Sequence, residues 1–325
     1  MILSKNREQD EYSLIRRPEH VARVWEKIEA ALPRYWGSFI ERQAAKRPAT
    51  QLAGHFSGKP RPTGGGAAGL TENFAGAVQA YEKAAAKYRD FFHPDAMEEF
   101  ADDPNAFKRG LAKDVPVIAG TLNQRRPELQ EWQRDFRIAK GRDLLAVFSN
   151  VLDFREDWAK AHPEAAYVAH DDADVFALDP LDDDEAMALT SVIGMGIKSI
   201  VLYHLDSSRL PQRARPDLYG LYFLSGMEAF GLPSGSSEFL MINDREPASN
   251  GSLIMEHNFW YPYGLFSLYT LRVYRWMDAR MREAGGGLDP HVRYVCVAHF
   301  LSEVCSEHAE HMKVMRAHDR FEVPA

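Results

Sequence analysis

Residues 289–318 read DPHVRYVCVAHFLSEVCSEHAEHMKVMRAH, and this stretch decides the fold class. It holds five of the twelve histidines and both cysteines, with no glycine or proline after Pro290. Asp289 suits a cap, and Pro290 suits the first helical position, where its missing N–H costs nothing. At 100° per residue, Val297, Phe300, Leu301, Val304, Met312 and Met315 fall on one stripe, together with His308 and His311. His299 falls on the opposite side with Ser302, Glu303, Ser306 and Glu310. An imidazole on an apolar stripe calls for a hydrogen-bond partner or a metal, because burying its nitrogens unpaired costs free energy.

Helical periodicity continues upstream. Segments 17–45, 71–91, 127–140, 142–160, 185–205, 215–230 and 252–283 read as helices alongside 290–318, and period-two alternation is scarce. Pro262 should kink or restart its helix, and Gly285-Gly286-Gly287 should end it. Residues 47–70, 171–185 and 231–251 read as loops. The second is acidic, without the spacing of an EF-hand. The expectation is an all-α bundle (109–325) with a smaller N-terminal helical region (1–108).

A chain of 325 residues with 45% hydrophobic and 11% aromatic content buries a sizeable core. A net charge of −8 disfavours nucleic acid or an anionic membrane as the main partner. Cys296 and Cys305 lie nine positions apart, roughly 13 Å along a helix and on opposite sides, so they are expected as free thiols. No signal peptide or membrane span is apparent, since 187–205 is interrupted by Lys198 and His204; a cytoplasmic protein is expected. Oligomeric state stays open, a homo-oligomer included.

Inward histidines in a helical bundle suggest three metal chemistries. Zinc on Cys305, His308 and His311 fails, because positions i, i+3 and i+6 cannot converge on one tetrahedral ion. A di-iron carboxylate site wants Glu-x-x-His pairs, and no histidine here has a glutamate three residues before it. Glu307 and His311, at i and i+4, keep a looser iron site open. Heme needs one histidine and an apolar pocket, for which Tyr219, Tyr222 and Phe223, with Phe259, Trp260 and Tyr261, are candidate walls.

Four short words resemble the indoleamine/tryptophan 2,3-dioxygenase superfamily of histidine-ligated heme proteins, and most nearly its ring-rearranging branch in pyrrolnitrin biosynthesis. They are Lys113-Asp114-Val115-Pro116 with Ile118, Gly120 and Leu122; Tyr219 to Gly226 (YGLYFLSG); Glu256-His257 with Trp260; and His311-Met312-Lys313-Val314. Their order and rough spacing match over about residues 110–325. The resemblance implies heme b with His311 as proximal iron ligand and His308 as its rival. It also implies a distal side near Ser149 (in LLAVFSNVLDF), a substrate border at His257, and an aromatic pocket from Tyr219, Tyr222, Phe223 and Trp260. Glu307 and Glu310 become candidate partners of the ligand's second nitrogen.

Two departures qualify the match. The family's carboxylate-binding arginine, three residues before Leu-Ser-Gly, falls on Leu221, so Arg209, Arg213 or Arg215 takes over or the substrate is not a simple amino acid. The cysteine with which tyrosine-hydroxylating members tie down the heme falls on Met315. The expected activity is a heme-dependent oxygenase using dioxygen or peroxide on an indole- or tyrosine-derived molecule. The rivals are a non-heme iron oxygenase drawing on Glu228, Glu256, His257, Glu303, Glu307 and His311, and a non-catalytic helical binding module.

Overall fold

The structure, a computed structural model, describes residues 11–46, 67–232, 237–239 and 261–312. Among them it is all-α, with no strand beyond isolated bridging such as that between Leu189 and Ile193. The acidic stretch and the C-terminal run depart from expectation, segment 185–205 is regular α-helix only from Met195, and three short helices appear that the periodicity did not suggest.

Helix α1 (Pro18–Lys46) turns Val21, Val24, Ile28, Leu32, Tyr35 and Phe39 inward at the three- and four-residue spacing of one buried face. Helix α2 (Ala67–Phe91) buries Phe74, Tyr81, Ala85 and Tyr88. Three short helices follow, α3 (Pro94–Asp102), α4 (Pro104–Asp114) and α5 (Pro116–Asn123), each with proline in the first turn. Asp103 caps α4 by accepting from Ala106 N–H at 3.0 Å. Residue 108, where the sequence reading divides the chain, lies inside α4. The Lys113-to-Pro116 word is the junction between α4 and α5.

Helices α6 (Gln130–Ile138) and α7 (Gly141–Ala161) complete a second hydrophobic core with Phe107, Phe136, Phe148 and Val201. Gly141 is required there, since a Cβ would stand 2.2 Å from the Pro104 carbonyl oxygen. The acidic stretch 171–185 is no solvated loop. It contains a short helix, α9 (Asp179–Asp183), which follows α8 (Glu164–Tyr167), and it inserts Phe176, Leu178 and Leu181 into the larger core.

The larger core is built by α10 (Met195–Leu205), α11 (Arg215–Leu224), α12 (Tyr263–Glu283) and α13 (Arg293–Glu307), closed by α1. Pro262 precedes the first turn of α12, and Gly285, at φ +88°, ends it: its N–H reaches Arg282 and that of Gly286 reaches Met281. Gly220 lets α11 approach α13, because a Cβ would sit 2.7 Å from Leu301 Cβ. The terminal helix starts as expected, Asp289 Oδ1 accepting from His291 N–H at 2.9 Å. It does not run unbroken to residue 318. Regular helix stops at Glu307, and His308 adopts φ −102°, ψ 24° before another turn reaches Met312. No helix among the described residues is long and apolar enough to cross a membrane.

Candidate functional site

Regular helix ends before His308, and the two histidines differ in burial although both rings rest against Phe223. His308 is half-buried: its ring stacks on Phe223 at 3.9 Å and 10°, and its Nε2 lies 2.7 Å from the Tyr35 hydroxyl. Burial holds its imidazole below the ordinary histidine value, with Glu307 opposing. His311 is exposed rather than core-facing. Its ring stands edge-on to Phe223 at 5.6 Å and lies 6.5 Å from Tyr222. Among the described residues nothing hydrogen-bonds the His311 ring.

His299, on the other side of α13, is not solvent-facing either. It is half-buried between Phe39 and Phe74, with Gln43 3.2 Å from its Nε2. Helices α1 and α2 cover that side, so α13 is enclosed on more than the one face its periodicity marks. Neither cysteine of α13 is in a disulfide; Cys296 is buried, which pushes its thiol up to about 12, and Cys305 is half-buried.

Tyr219, Tyr222 and Phe223 are buried on α11 within the larger core, and the Tyr222 hydroxyl meets Ser237. The Leu-Ser-Gly word caps that helix: Ser225 Oγ donates to the Tyr222 carbonyl at 2.9 Å, and Gly226 turns to φ +73°. Ser149 is half-buried on α7 beside Phe148 of the second core, whereas His308 and His311 pack on Phe223 of the first. His257 and Trp260 lie outside the described residues.

The arginines proposed to replace the family's carboxylate clamp are placed as follows. Arg209 is spent on Asp206 and the carbonyls of Ala159 and His162. Arg213 is buried, donating to the Tyr261 carbonyl beside Asp182, and Arg215 is exposed. The carboxylates near the terminal histidines are also engaged: Glu307 meets Arg34 at 2.9 Å and Arg42 at 3.4 Å, and Glu303 meets Arg42 at 3.6 Å. Among the described residues no three metal-ligating side chains converge.

Two contributions escaped the sequence. Tyr35, the partner of His308, comes from α1 and carries no local motif. A buried relay joins His20 Nε2 to Glu238 Oε2 at 2.7 Å and the Tyr261 hydroxyl to Glu238 Oε1 at 3.0 Å, all three side chains at most 1% exposed. Burial raises the Tyr261 phenol far above its usual range.

A heme ligand needs a ring nitrogen free to meet iron and an apolar wall beside it. Among the described residues His311 meets the first condition, and its ring edge rests on Phe223 with Tyr222 nearby, although both of these side chains are themselves buried in the core. His308 offers its Nε2 only by giving up Tyr35. No family model, curated protein or solved structure matches the chain.

Proposed function

We propose that the chain is a heme-dependent oxygenase of small aromatic molecules, with His311 as the residue that would hold the heme iron. One contrast carries this reading: His308 is spent on Tyr35 and Phe223, whereas His311 keeps its ring nitrogens clear of hydrogen bonds to described residues while its edge rests on Phe223. The resemblance of the terminal His311-Met312-Lys313-Val314 word supports the same residue.

Heme b would supply the activation of dioxygen or peroxide. The chain's own part is to hold the iron through His311, to back that ring with Phe223 and Tyr222, and to fix the helix end through the Tyr35–His308 bond. Leu221 is fully buried and Arg209 and Arg213 are committed elsewhere, which leaves Arg215 as the one of the three arginines placed to meet a carboxylate; the substrate proposed is an indole- or tyrosine-derived molecule not gripped at Leu221, Arg209 or Arg213. The protein is proposed to act in the cytoplasm.

Titrating hemin into the purified full chain tests the proposal. A saturable Soret band at one heme per chain is expected. Bound iron without a Soret band would overturn it in favour of a non-heme site, and a folded protein binding neither would make it a plain helical module.

A further inference from the structure

At the far end of α13 from His311 lies a cleft of about 640 Å³ between α8, α12 and the segment leading into α13. Arg293 and Arg282 line it, with Glu164, Tyr274, Val168 and Leu288. Arg293 is 0% exposed, and its Nε, also buried, has no hydrogen-bond partner. One of its terminal nitrogens donates to the Ser208 carbonyl, and the guanidinium lies over the Tyr274 ring, 4.7 Å from the centroid. Its other terminal nitrogen lies 3.5 Å from Glu164, a carboxylate whose side chain is 38% exposed, and the guanidinium also hydrogen-bonds the Tyr274 side chain, so Nε is the donor left unspent. Charge-assisted pairs close to about 2.7–2.9 Å, so this seat is loosely filled. Arg282 spends its Nε on Asp278 at 2.7 Å, and its terminal nitrogens make no hydrogen bond among the described residues.

A buried guanidinium with an unspent donor is costly unless an acceptor arrives. Here a second guanidinium with unspent donors stands at the rim of the same cleft, beside an aromatic and aliphatic floor. We propose that this cleft binds a small oxyanion-bearing molecule, a carboxylate or a phosphate, which displaces Glu164 from Arg293 and is held from the rim by Arg282. The cleft is some 15 residues, or roughly 22 Å, along α13 from His308, so the inference stands apart from any heme at His311.

Calorimetric titration of the full chain with benzoate, and separately with inorganic phosphate, tests it. Binding of either is expected to weaken about fivefold in Arg282→Ala and tighten about fivefold in Glu164→Gln, which removes the competing charge without touching the buried Arg293. Heat from benzoate alone identifies a carboxylate on an apolar body, and heat from phosphate alone a phosphoryl group. Silence from both anions, or binding that Glu164→Gln does not tighten, would overturn the proposal.

Discussion

The Tyr35 hydroxyl lies 2.7 Å from His308 Nε2, joining the first long helix to the end of the last across 273 positions of sequence. Because Phe223 covers one face of the same imidazole, His308 is held by α1 and α11 together. The neighbouring His311 has no such hydrogen bond among the described residues.

Tyr35→Phe removes one hydrogen bond and leaves the half-buried His308 nitrogen short of a partner. A loss of about 1 kcal/mol in unfolding free energy is expected, read from urea denaturation, with little change in the slope. Unchanged stability would mean that the bond holds nothing in place.

Gly220→Ala should cost more. The new methyl would meet Leu301 Cβ at 2.7 Å and the Leu301 carbonyl oxygen at 2.8 Å, forcing α11 away from α13. A destabilisation of about 1–3 kcal/mol is expected from overpacking, read as a lowered Tm. Gly120→Ala, where nothing lies within 4 Å, is the control that should stay near wild type.

The all-α class and the long helices near 17–45, 71–91 and 142–160 were readable from sequence, whereas the surroundings of the terminal histidines were not. The Asp289-Pro290 start of the last helix and the Gly285 stop of α12 followed from local rules and hold in the structure. The three helices between residues 94 and 123 carried a usable signal, proline in each first turn, but they are too short for periodicity to declare them. The break at His308 was illegible because no residue there forbids helix. The enclosure of His299 by Phe39 and Phe74, and the capture of His308 by Tyr35, are tertiary facts that no single-helix pattern contains.

Asp217 gives a pH dependence of definite sign. Complete burial raises its carboxyl from the ordinary 3.8 to about 8, against the Ala214 N–H and Gln212, which favour the charged form. The folded state therefore binds the proton more tightly than the unfolded chain. Its contribution is fully present below about pH 4 and is lost as pH rises through about 8, at up to about 1.4 kcal/mol per pH unit. Asp217→Asn should flatten stability between pH 5 and 8, measured by denaturant titration across that range. A variant with the wild-type slope would show that Asp217 does not carry it.

Histidines act in the opposite sense. Burial, the largest cause at each, holds His170, His204 and His308 below the ordinary 6.5. The unfolded chain then takes up protons first, so stability should fall as pH drops below about 6.5. His204 stacks on Tyr88 at 4.1 Å and 12°, a contact that phenylalanine preserves. His204→Phe should therefore show a smaller loss of stability between pH 6.5 and 5 than wild type, and an undiminished loss would exonerate this residue.

Breaking the His20–Glu238 pair should be among the costliest single changes. Glu238→Ala strips the buried His20 and Tyr261 of their acceptor, and about 3–5 kcal/mol is expected. Circular dichroism with urea titration checks it; a loss under 1 kcal/mol would mean that the relay is not formed.

The most direct test of the central claim is the absorption spectrum of heme-loaded His311→Ala beside heme-loaded His308→Ala. The account predicts that the Soret band is lost or strongly shifted in His311→Ala and kept in His308→Ala. A band that survives in His311→Ala and disappears in His308→Ala would contradict it.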